Sequence, residues 1–516
     1  MAEEVGPVGT VTPSRVAHNT LLNFLGLAVP LALAFFVLPV AAQQLGPARF
    51  GLLGLAWAVT EYLILFDLGL GRAIVRFVAD ALQQRREQLD EIVSVATASQ
   101  LLAGAIGGTA FALGAPAFVN SVFKTSPELS AEAIAMFRVV GFSLPAVLLL
   151  SSLRGVLEGA QRFDLSNAIK MLSSAASVTI PAIGAARGAS LPAIMWMVLV
   201  SRVIVCALYA GAIHRALPTL RWQAPRRWSR LKELLSYSGW VAVSSGVSPL
   251  LVYFDRFVLG SLVGIAAVGF YTAPYEGVTR LLLIPVSLVV SLLPALSALH
   301  ARRDRERIGE ILGSSMRTLI IVMAAPLAVV FVLAPELLRV WMGDAYADQA
   351  SVALRILAVG VFANSLAHAP FVTLYAIGRP DLPAKFHLLE LIVHVPVTIF
   401  LVSRFGMAGA ATAWTSRVVF DLCLLVVAAA RSTELPIATI LGGRAARSTA
   451  VVAMLIGFLL LATTVFDWSP LTALMLSAAI VSGFFVISWS WVFLPVERQA
   501  IGRALISLRT LVMFSR

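Results

Sequence analysis

Apolar runs of about twenty residues recur along the chain from Leu21 to Leu494, and short polar connections separate them. A helix rises about 1.5 Å per residue, so a run of about twenty residues crosses roughly 30 Å of hydrocarbon. Backbone polar groups inside a bilayer must be satisfied within the segment, which favours a helix for each run. The pattern therefore predicts an all-α polytopic membrane protein.

The runs divide into about fourteen predicted transmembrane helices. The first run is too long for the apolar core of a signal peptide, so we expect it to remain as a span. The predicted spans cover residues 21–41, 51–70, 93–117, 134–153, 166–186, 191–212, 238–260, 267–297, 315–341, 351–375, 386–403, 408–430, 448–466 and 471–494.

Positive charge is distributed unevenly over the connections between these runs. With the N-terminus in the cytoplasm, the two tails and the cytoplasmic connections carry 26 of the 39 Lys and Arg residues. The opposite connections carry four, which are Arg49, Lys124, Arg187 and Arg404. Cytoplasmic loops of membrane proteins are enriched in Lys and Arg, so this asymmetry predicts cytoplasmic N- and C-termini.

Composition agrees with a lipid environment and narrows the expected partners. The 516 residues are 59% apolar and 13% charged, with a mean hydropathy of +0.90 and a net charge of +12. A soluble domain carries far more charge than this. Because the basic residues lie between apolar spans, we expect anionic membrane lipids as their partners and no nucleic acid.

The chain resembles itself at an offset of about 217 residues. The matches occur in the same order and at corresponding places in the predicted topology, which indicates two pseudo-symmetric six-helix lobes in parallel orientation around a central cavity. Such an architecture is typical of transporters. The aligned pairs are Arg138 with Arg355, the loop 159–165 with 376–382, Gly46 and Gly51 with Gly264 and Gly269, and 201–203 with 416–418.

The repeat and the charge pattern predict the domain boundaries. The last two predicted helices fall outside the repeat. The predicted parts are a cytoplasmic N-tail at 1–20, an N-lobe at 21–213, a basic inter-lobe linker at 214–236, a C-lobe at 237–430, a linker with two extra helices at 431–494, and a basic cytoplasmic C-tail at 495–516.

The sequence carries none of the motifs that we associate with catalysis. A Walker loop, a zincin-like pair of histidines and a nucleophile elbow are all missing from it. The two cysteines, Cys206 and Cys423, lie in apolar runs and fit neither a disulfide framework nor a metal site. We therefore expect no enzyme activity, no metal and no cofactor.

Nine cations lie inside the predicted spans, where a central arginine costs about 2.5–3.5 kcal/mol. Lys170, Arg317 and Arg339 are near span ends, where long side chains reach the interface. For Arg138, Arg256 and Arg355, near the outer ends, an interfacial and a cavity position both remain open. A cavity is favoured for the three cations near mid-span. Those are Arg202, Arg280 and Arg417, and with the previous three they form the candidate substrate-binding set.

The acidic residues in the spans have a structural and a functional interpretation. Glu276 with Arg280, Arg417 with Asp421, and Glu390 with His394 are each four residues apart, a spacing that allows pairing on one helix face. Glu61 has no such neighbour, so it either pairs with an arginine on another helix or couples transport to an ion. The candidates for ion coupling are Glu61, Glu276, Asp421 and Glu390.

An excess of cations in the spans favours an anionic substrate. Guanidinium groups bind phosphate through paired hydrogen bonds, whereas a site for drug cations should favour carboxylates. The chain therefore favours a phosphate-bearing ligand.

Five segments resemble bacterial oligosaccharide flippases of the multidrug, oligosaccharidyl-lipid and polysaccharide exporter (MOP) superfamily. The resemblance covers most of the first twelve spans and weakens over the last two. The segments are FGLLGLAW at 50–57, LFDLGLGRA at 65–73, LRGVLEGAQRFD at 153–164, SPLLVYFDRF at 248–257 and YTAPYE at 271–276.

This resemblance implies a function. Such a flippase turns over a lipid-linked oligosaccharide repeat unit on an undecaprenyl or related polyprenyl pyrophosphate, by alternating access in the bacterial inner membrane. H⁺ or Na⁺ coupling, and assembly proteins such as a polysaccharide polymerase as partners, are also implied. The alternatives are a drug or metabolite cation antiporter, a lipid II flippase and a membrane polysaccharide polymerase. Five aromatic residues have two possible roles: each either packs between helices or stacks on a sugar ring. They are Trp57, Tyr62, Tyr253, Tyr271 and Tyr275.

Overall fold

A computed structural model describes residues 13–84, 86–441, 445–465 and 470–493, together with 495 and 498. Residues 1–12 of the predicted N-tail and most of the predicted C-tail lie outside the described residues. Within the described part, the chain is helical and contains no strand.

Sixteen α-helices follow one another along the described chain. They are α1 Pro13–Leu63, α2 Leu70–Gln84, α3 Leu89–Val122, α4 Pro127–Gly159, α5 Phe163–Ala186, α6 Leu191–Ala216, α7 Ser229–Leu262, α8 Ile265–Thr279, α9 Leu283–Ala301, α10 Arg305–Val332, α11 Ala334–Met342, α12 Asp344–Ala376, α13 Asp381–Thr433, α14 Ile437–Ile440, α15 Ala445–Val465 and α16 Pro470–Trp491.

Most of these helices overlap the predicted spans, but α2 lies between two of them, and the spans predicted at 267–297 and 315–341 each cover parts of two helices. In the described residues, nine helical stretches are long and apolar enough to cross a membrane by length and composition. The prediction of a polytopic all-α protein is therefore confirmed, whereas the number fourteen stays a prediction. Two helices each contain two predicted spans, because α1 breaks at Gly46 (φ 71°) and α13 breaks at Gly406 (φ 54°). Glycine has no Cβ and adopts these backbone angles at little cost.

The internal repeat is visible in the backbone itself. Residues at the predicted offset share left-handed backbone angles, although the residue types differ at one pair. The pairs are Gly46 with Gly264, Gln161 with Gly378, and Gly188 with Gly406.

The duplicated loops also share an ion pair. Arg162 Nη2 lies 2.9 Å from Asp164 Oδ2, and Arg379 Nε lies 3.1 Å from Asp381 Oδ1. The hydrogen bond to Asp164 raises the pKa of the Arg162 guanidinium. The Arg-x-Asp-Leu motif therefore forms the same local structure twice.

The helices form two compact units. In the described residues, unit 1 runs to Tyr253 and includes Gly260–Gly269, and unit 2 consists of Phe254–Leu259 and the chain from Phe270 onwards. This division falls inside α7, and not in the segment 214–236 that the sequence suggests as a linker. The predicted functional boundaries of the lobes stay a prediction.

Small residues allow close helix packing in unit 1. A Cβ at Gly108 of α3 would lie 2.3 Å from the carbonyl oxygen of Gly141 in α4, and a Cβ at Gly141 would lie 2.6 Å from that of Gly108. The repeat-related glycines Gly51 and Gly269 approach each other in the same way. Such contacts are typical of membrane helices, where close backbone approach replaces the hydrophobic effect as a source of stability.

Unit 2 packs around α10 and α12. Helix α12 lies against α13 and α10, and α10 also carries the last helical pair, α15 and α16. Val451, Leu455 and Leu459 of α15 share one apolar cluster with Ile321 and Ala325 of α10. The two extra helices are therefore attached to unit 2 through α10.

Candidate functional site

One carboxylate in unit 2 connects two arginines. Glu276 of α8 receives a hydrogen bond from Arg256 Nη2 at 2.9 Å through Oε1, and from Arg280 Nη2 at 2.8 Å through Oε2. The guanidinium of Arg256 is fully buried, whereas 42% of the Arg280 side chain is exposed. The pairing of Glu276 with Arg280 agrees with their four-residue spacing. Arg256 joins them from α7, which the spacing does not indicate.

Buried aromatic and acidic side chains lie around Arg256 in the cluster that it forms with Glu276 and Arg280. Asp255 accepts a hydrogen bond from the Tyr271 hydroxyl at 2.5 Å and one from the backbone amide of Arg256 at 2.8 Å. The guanidinium of Arg256 lies 4.7 Å from the ring centre of Tyr275, within the range of a cation–π contact. Both tyrosines are buried, and Tyr275 packs edge-on against Trp414. These tyrosines therefore pack between helices.

A second charged cluster lies between the two arms of α13. Arg417 Nη1 lies 3.0 Å from Glu390 Oε2, and both side chains are almost entirely buried. The sequence suggests that Arg417 pairs with Asp421. This expectation is wrong, because Arg417 donates its hydrogen bond to Glu390 instead. The chain reverses at Gly406, so residues on either side of this break come to face each other.

The contact made by His394, next to this cluster, also differs from the one that the sequence suggests. The ring nitrogens of His394 lie 3.3 and 3.4 Å from the Thr398 hydroxyl, and not against Glu390. His387, one turn before Glu390, lies closer to the carboxylates: one polar atom from each of His387, Glu390 and Asp421 falls within 4.8 Å of the others. Sequence reasoning missed His387, although its three-residue spacing from Glu390 is a signal for a shared helix face.

Charge is not balanced in the α13 cluster. Two carboxyl groups, Glu390 and Asp421, face one guanidinium, that of Arg417. In the described part of the chain, no N–H or O–H group donates a hydrogen bond to Glu390 Oε1 or Asp421 Oδ1, and both oxygens are buried. A proton on one of the two carboxyl groups or on His387 would balance the charge of the cluster.

Unit 1 contains one mid-span pair. Arg202 of α6 donates a hydrogen bond to the Ser143 hydroxyl of α4 at 2.9 Å, and its charge interacts with that of Glu61 in α1. The interaction between the two charges favours the structural alternative for Glu61, a pair with an arginine on another helix. It leaves the ion-coupling alternative open, because a paired carboxylate can still exchange its proton.

Two candidate arginines lie apart from these clusters. Arg138 is exposed on α4. Arg355 donates from Nε to the carbonyl oxygen of Phe331 at 3.0 Å, in the last turn of α10. A cation at the C-terminal end of a helix is stabilised by the helix dipole, which gives Arg355 a structural role.

The comparisons with known proteins agree on the family. The polysaccharide biosynthesis protein family matches residues 16–300, and the MatE family matches residues 241–400. A Shigella flexneri protein named "Putative O-antigen transporter" is 28% identical over 419 residues, which is 80% of this chain and 96% of that protein.

Solved structures show which fold the chain shares. The lipid II flippase MurJ in an inward closed conformation has a TM-score of 0.69 at 14% identity, over 91% of this chain and 99% of that one. An inward-facing multidrug resistance MATE family transporter of the MOP superfamily has a TM-score of 0.68 at 16% identity, over 80% and 98%. Because the first family covers more than half of the residues, the chain belongs to the polysaccharide biosynthesis protein family, with the fold of MOP transporters.

Proposed function

We propose that the chain is a flippase that moves polyprenyl-pyrophosphate-linked oligosaccharide repeat units from the cytoplasmic to the outer leaflet of a membrane. The family match, the O-antigen transporter relative and the fold shared with a lipid II flippase support this proposal. The repeat unit would serve the synthesis of O-antigen, capsule or exopolysaccharide. A flippase of this kind lowers the barrier for moving polar groups through hydrocarbon, which is high because their hydrogen bonds to water are lost.

The observation that carries the proposal is the bridge formed by Glu276. Its two oxygens bind the guanidinium groups of Arg256 and Arg280 at 2.9 and 2.8 Å. Two oxygens of a phosphate suit the same pair of donors, because guanidinium binds carboxylate and phosphate with similar geometry. A pyrophosphate that displaces Glu276 would find both cations already oriented. Arg280, the more exposed of the two, would make the first contact.

Ion coupling is a second part of the proposal. The α13 cluster lacks one positive charge, and a proton shared by Glu390 and Asp421 would supply it. A sodium ion fits less well, because it prefers several oxygen ligands and His387 would present a nitrogen. Phosphate that draws Arg417 away from Glu390 would leave this carboxylate unpaired and favour proton uptake. Substrate and proton would then be linked through Arg417.

The setting of the protein follows from the same proposal. We infer the bacterial inner membrane, with both tails in the cytoplasm, where lipid-linked repeat units are assembled. Alternating access would carry the head group across while the lipid tail stays in the bilayer. A polysaccharide polymerase and other assembly proteins are the proposed partners, and the transporter needs no catalytic residues of its own.

Transport in proteoliposomes tests the substrate class. The triple variant Arg202→Gln/Arg280→Gln/Arg417→Gln should translocate a fluorescent polyprenyl-pyrophosphate oligosaccharide at least about tenfold more slowly than the wild type, since one charge-assisted hydrogen bond contributes about 1.5–3 kcal/mol. A matched control is Lys170→Gln/Arg187→Gln/Arg339→Gln, which neutralises three exposed cations. Translocation by the control should stay near that of the wild type.

Two results would contradict the proposal. One is a triple variant that is folded by thermal unfolding and transports as fast as the control. The other is a wild type that moves cationic dyes but no lipid-linked oligosaccharide. The second result would favour the drug antiporter alternative, which shares this fold.

A further inference from the structure

The segment between α6 and α7, residues 217–228, is held against unit 1. The side chains of Leu217 and Leu220 are 6% exposed and belong to the apolar core that α3, α4 and α6 form. Leu231 and Leu234, at the start of α7, join the same core. The apolar side of the segment is therefore packed against unit 1.

Two acidic side chains hold its backbone. Asp90 Oδ1, at the start of α3, accepts a hydrogen bond from the backbone amide of Arg221 at 3.1 Å. Glu91 Oε1 accepts bonds from the backbone amides of Arg226 and Arg227 at 2.9 and 2.5 Å. Hydrogen bonds to an ionised carboxylate are the stronger ones in proteins. These acids bind main-chain amides of the three arginines, while the arginine side chains point to the surface.

The outer face of the segment combines two residue types. Arg221, Arg226 and Arg227 are exposed, and residues Trp222 and Trp228 are each 47% exposed. Tryptophan is enriched where one end of the ring meets apolar groups and the other meets water, as at a membrane surface. Arginine binds phosphate through two parallel hydrogen bonds. A rigid surface with both types is suited to a phospholipid headgroup.

The position of the segment in the chain selects the lipid among other partners. It directly follows α6, a helix long and apolar enough to cross a membrane, and it leads into α7, which contains the predicted span 238–260. We propose that residues 217–228 form a binding surface for anionic phospholipid headgroups of the leaflet where α6 ends. Each arginine near an anionic surface contributes roughly 1 kcal/mol. This surface is independent of the proposed flippase activity.

Two substitutions of Glu91 distinguish lipid binding that requires the held backbone of residues 217–228 from diffuse electrostatic attraction. Glu91→Gln and Glu91→Ala both remove one negative charge, but only glutamine keeps an oxygen that accepts the amides of Arg226 and Arg227. Diffuse attraction would make both variants bind anionic lipid equally well, and better than the wild type. If the segment must be held in place, Glu91→Ala should bind several-fold more weakly than Glu91→Gln.

Phosphatidylglycerol is the probe, and the full chain is the sample. The protein is placed in nanodiscs of phosphatidylcholine with or without phosphatidylglycerol, and retained lipid is counted by native mass spectrometry. Arg226→Gln/Arg227→Gln and Trp222→Ala/Trp228→Ala should each retain several-fold less phosphatidylglycerol. Arg302→Gln/Arg303→Gln, which removes two exposed cations after α9, is the matched control and should retain as much as the wild type.

Three outcomes would overturn the proposal. Equal retention by both Glu91 variants would mean that the fixed backbone has no role. Equal losses in the 226/227 and 302/303 variants would mean that any pair of cations suffices. Unchanged retention in the tryptophan variant, together with loss of export in cells, would assign the surface to a protein partner. Hydrogen exchange of residues 217–228 shows independently whether Glu91→Ala releases the segment in an otherwise folded protein.

Discussion

Individual charged residues in the helices of this protein are mostly neutralised by a neighbour. Arg417 lies against Glu390, and Arg256 and Arg280 share Glu276. Arg202 donates a hydrogen bond to Ser143, and its charge interacts with that of Glu61. Each of these arginines therefore has a partner inside the predicted spans, and the partner lowers the free-energy cost of placing the charge in hydrocarbon.

The Arg417–Glu390 pair allows a prediction about stability. Arg417→Leu alone leaves two buried carboxyl groups facing each other and should destabilise the protein by about 3–5 kcal/mol. The double variant Arg417→Leu/Glu390→Leu removes one charge of each sign, so it should recover most of the loss. Thermal unfolding in detergent measures both. If the double variant is as unstable as the single one, the two charges are not energetically coupled.

At this scale the sequence correctly predicts one of the three pairs suggested by four-residue spacing, and it misses the pair across a chain reversal. Glu276 with Arg280 follows from spacing alone, because both lie on one helix face. Arg417 forms an ion pair with Glu390, and not with the neighbouring Asp421, because α13 reverses at Gly406. No local pattern encodes that choice. It depends on how far each arm extends from the break.

Among the helices, close packing depends on where glycine lies. Gly108 and Gly141 allow α3 and α4 to approach until a Cβ on either would overlap a carbonyl oxygen of the other helix. Gly114, on the same helix α3, has nothing within 4 Å of an added Cβ. Two glycines six residues apart thus have opposite roles. One is needed for contact, and the other only lowers helix propensity.

These positions form a matched pair of substitutions. Gly108→Ala should destabilise the protein by about 1–3 kcal/mol, because backbone atoms of α4 must move away. Gly114→Ala should be neutral or stabilising by up to about 1 kcal/mol, since alanine favours the helix. The midpoint of thermal unfolding distinguishes them. A stabilising Gly108→Ala would mean that the two helices separate without cost.

The helices and the breaks between them are predicted by the sequence, but the backbone angles at the breaks are not. Apolar runs of sufficient length predict where helices lie, and the structure places helices at those positions. The sequence predicts two spans at 386–403 and 408–430, and the structure has the break between the two arms of α13 at Gly406, inside the predicted connection. Hydropathy responds to polar residues such as Arg404, and it carries no information on the backbone angle of Gly406.

For the whole molecule, the repeat gives a physical reason to expect two similar halves. Backbone angles that favour glycine recur at the same offset, including Gln161, which adopts φ 61° opposite Gly378. A non-glycine residue in this conformation costs energy, so the shared angle reflects the shared loop geometry and not residue preference. The Arg-x-Asp-Leu ion pair is present in both copies. If each half contains six spans, as the sequence predicts, both tails lie on the same side of the membrane.

The predicted topology can be tested with single cysteines. After Cys206 and Cys423 are replaced by alanine, cysteine is introduced at Lys124 or Arg187 for the outer side, and at Gln161 or Arg303 for the cytoplasmic side. All four positions are exposed, so each is open to the reagent once it has access to that side. A membrane-impermeant maleimide added to intact cells should label positions 124 and 187 only, and permeabilised cells should show labelling at all four. Labelling of 161 and 303 in intact cells would place the basic connections outside, against the charge asymmetry that orients membrane helices. It would also expose the predicted substrate-loading side to a compartment where no lipid-linked repeat unit is assembled.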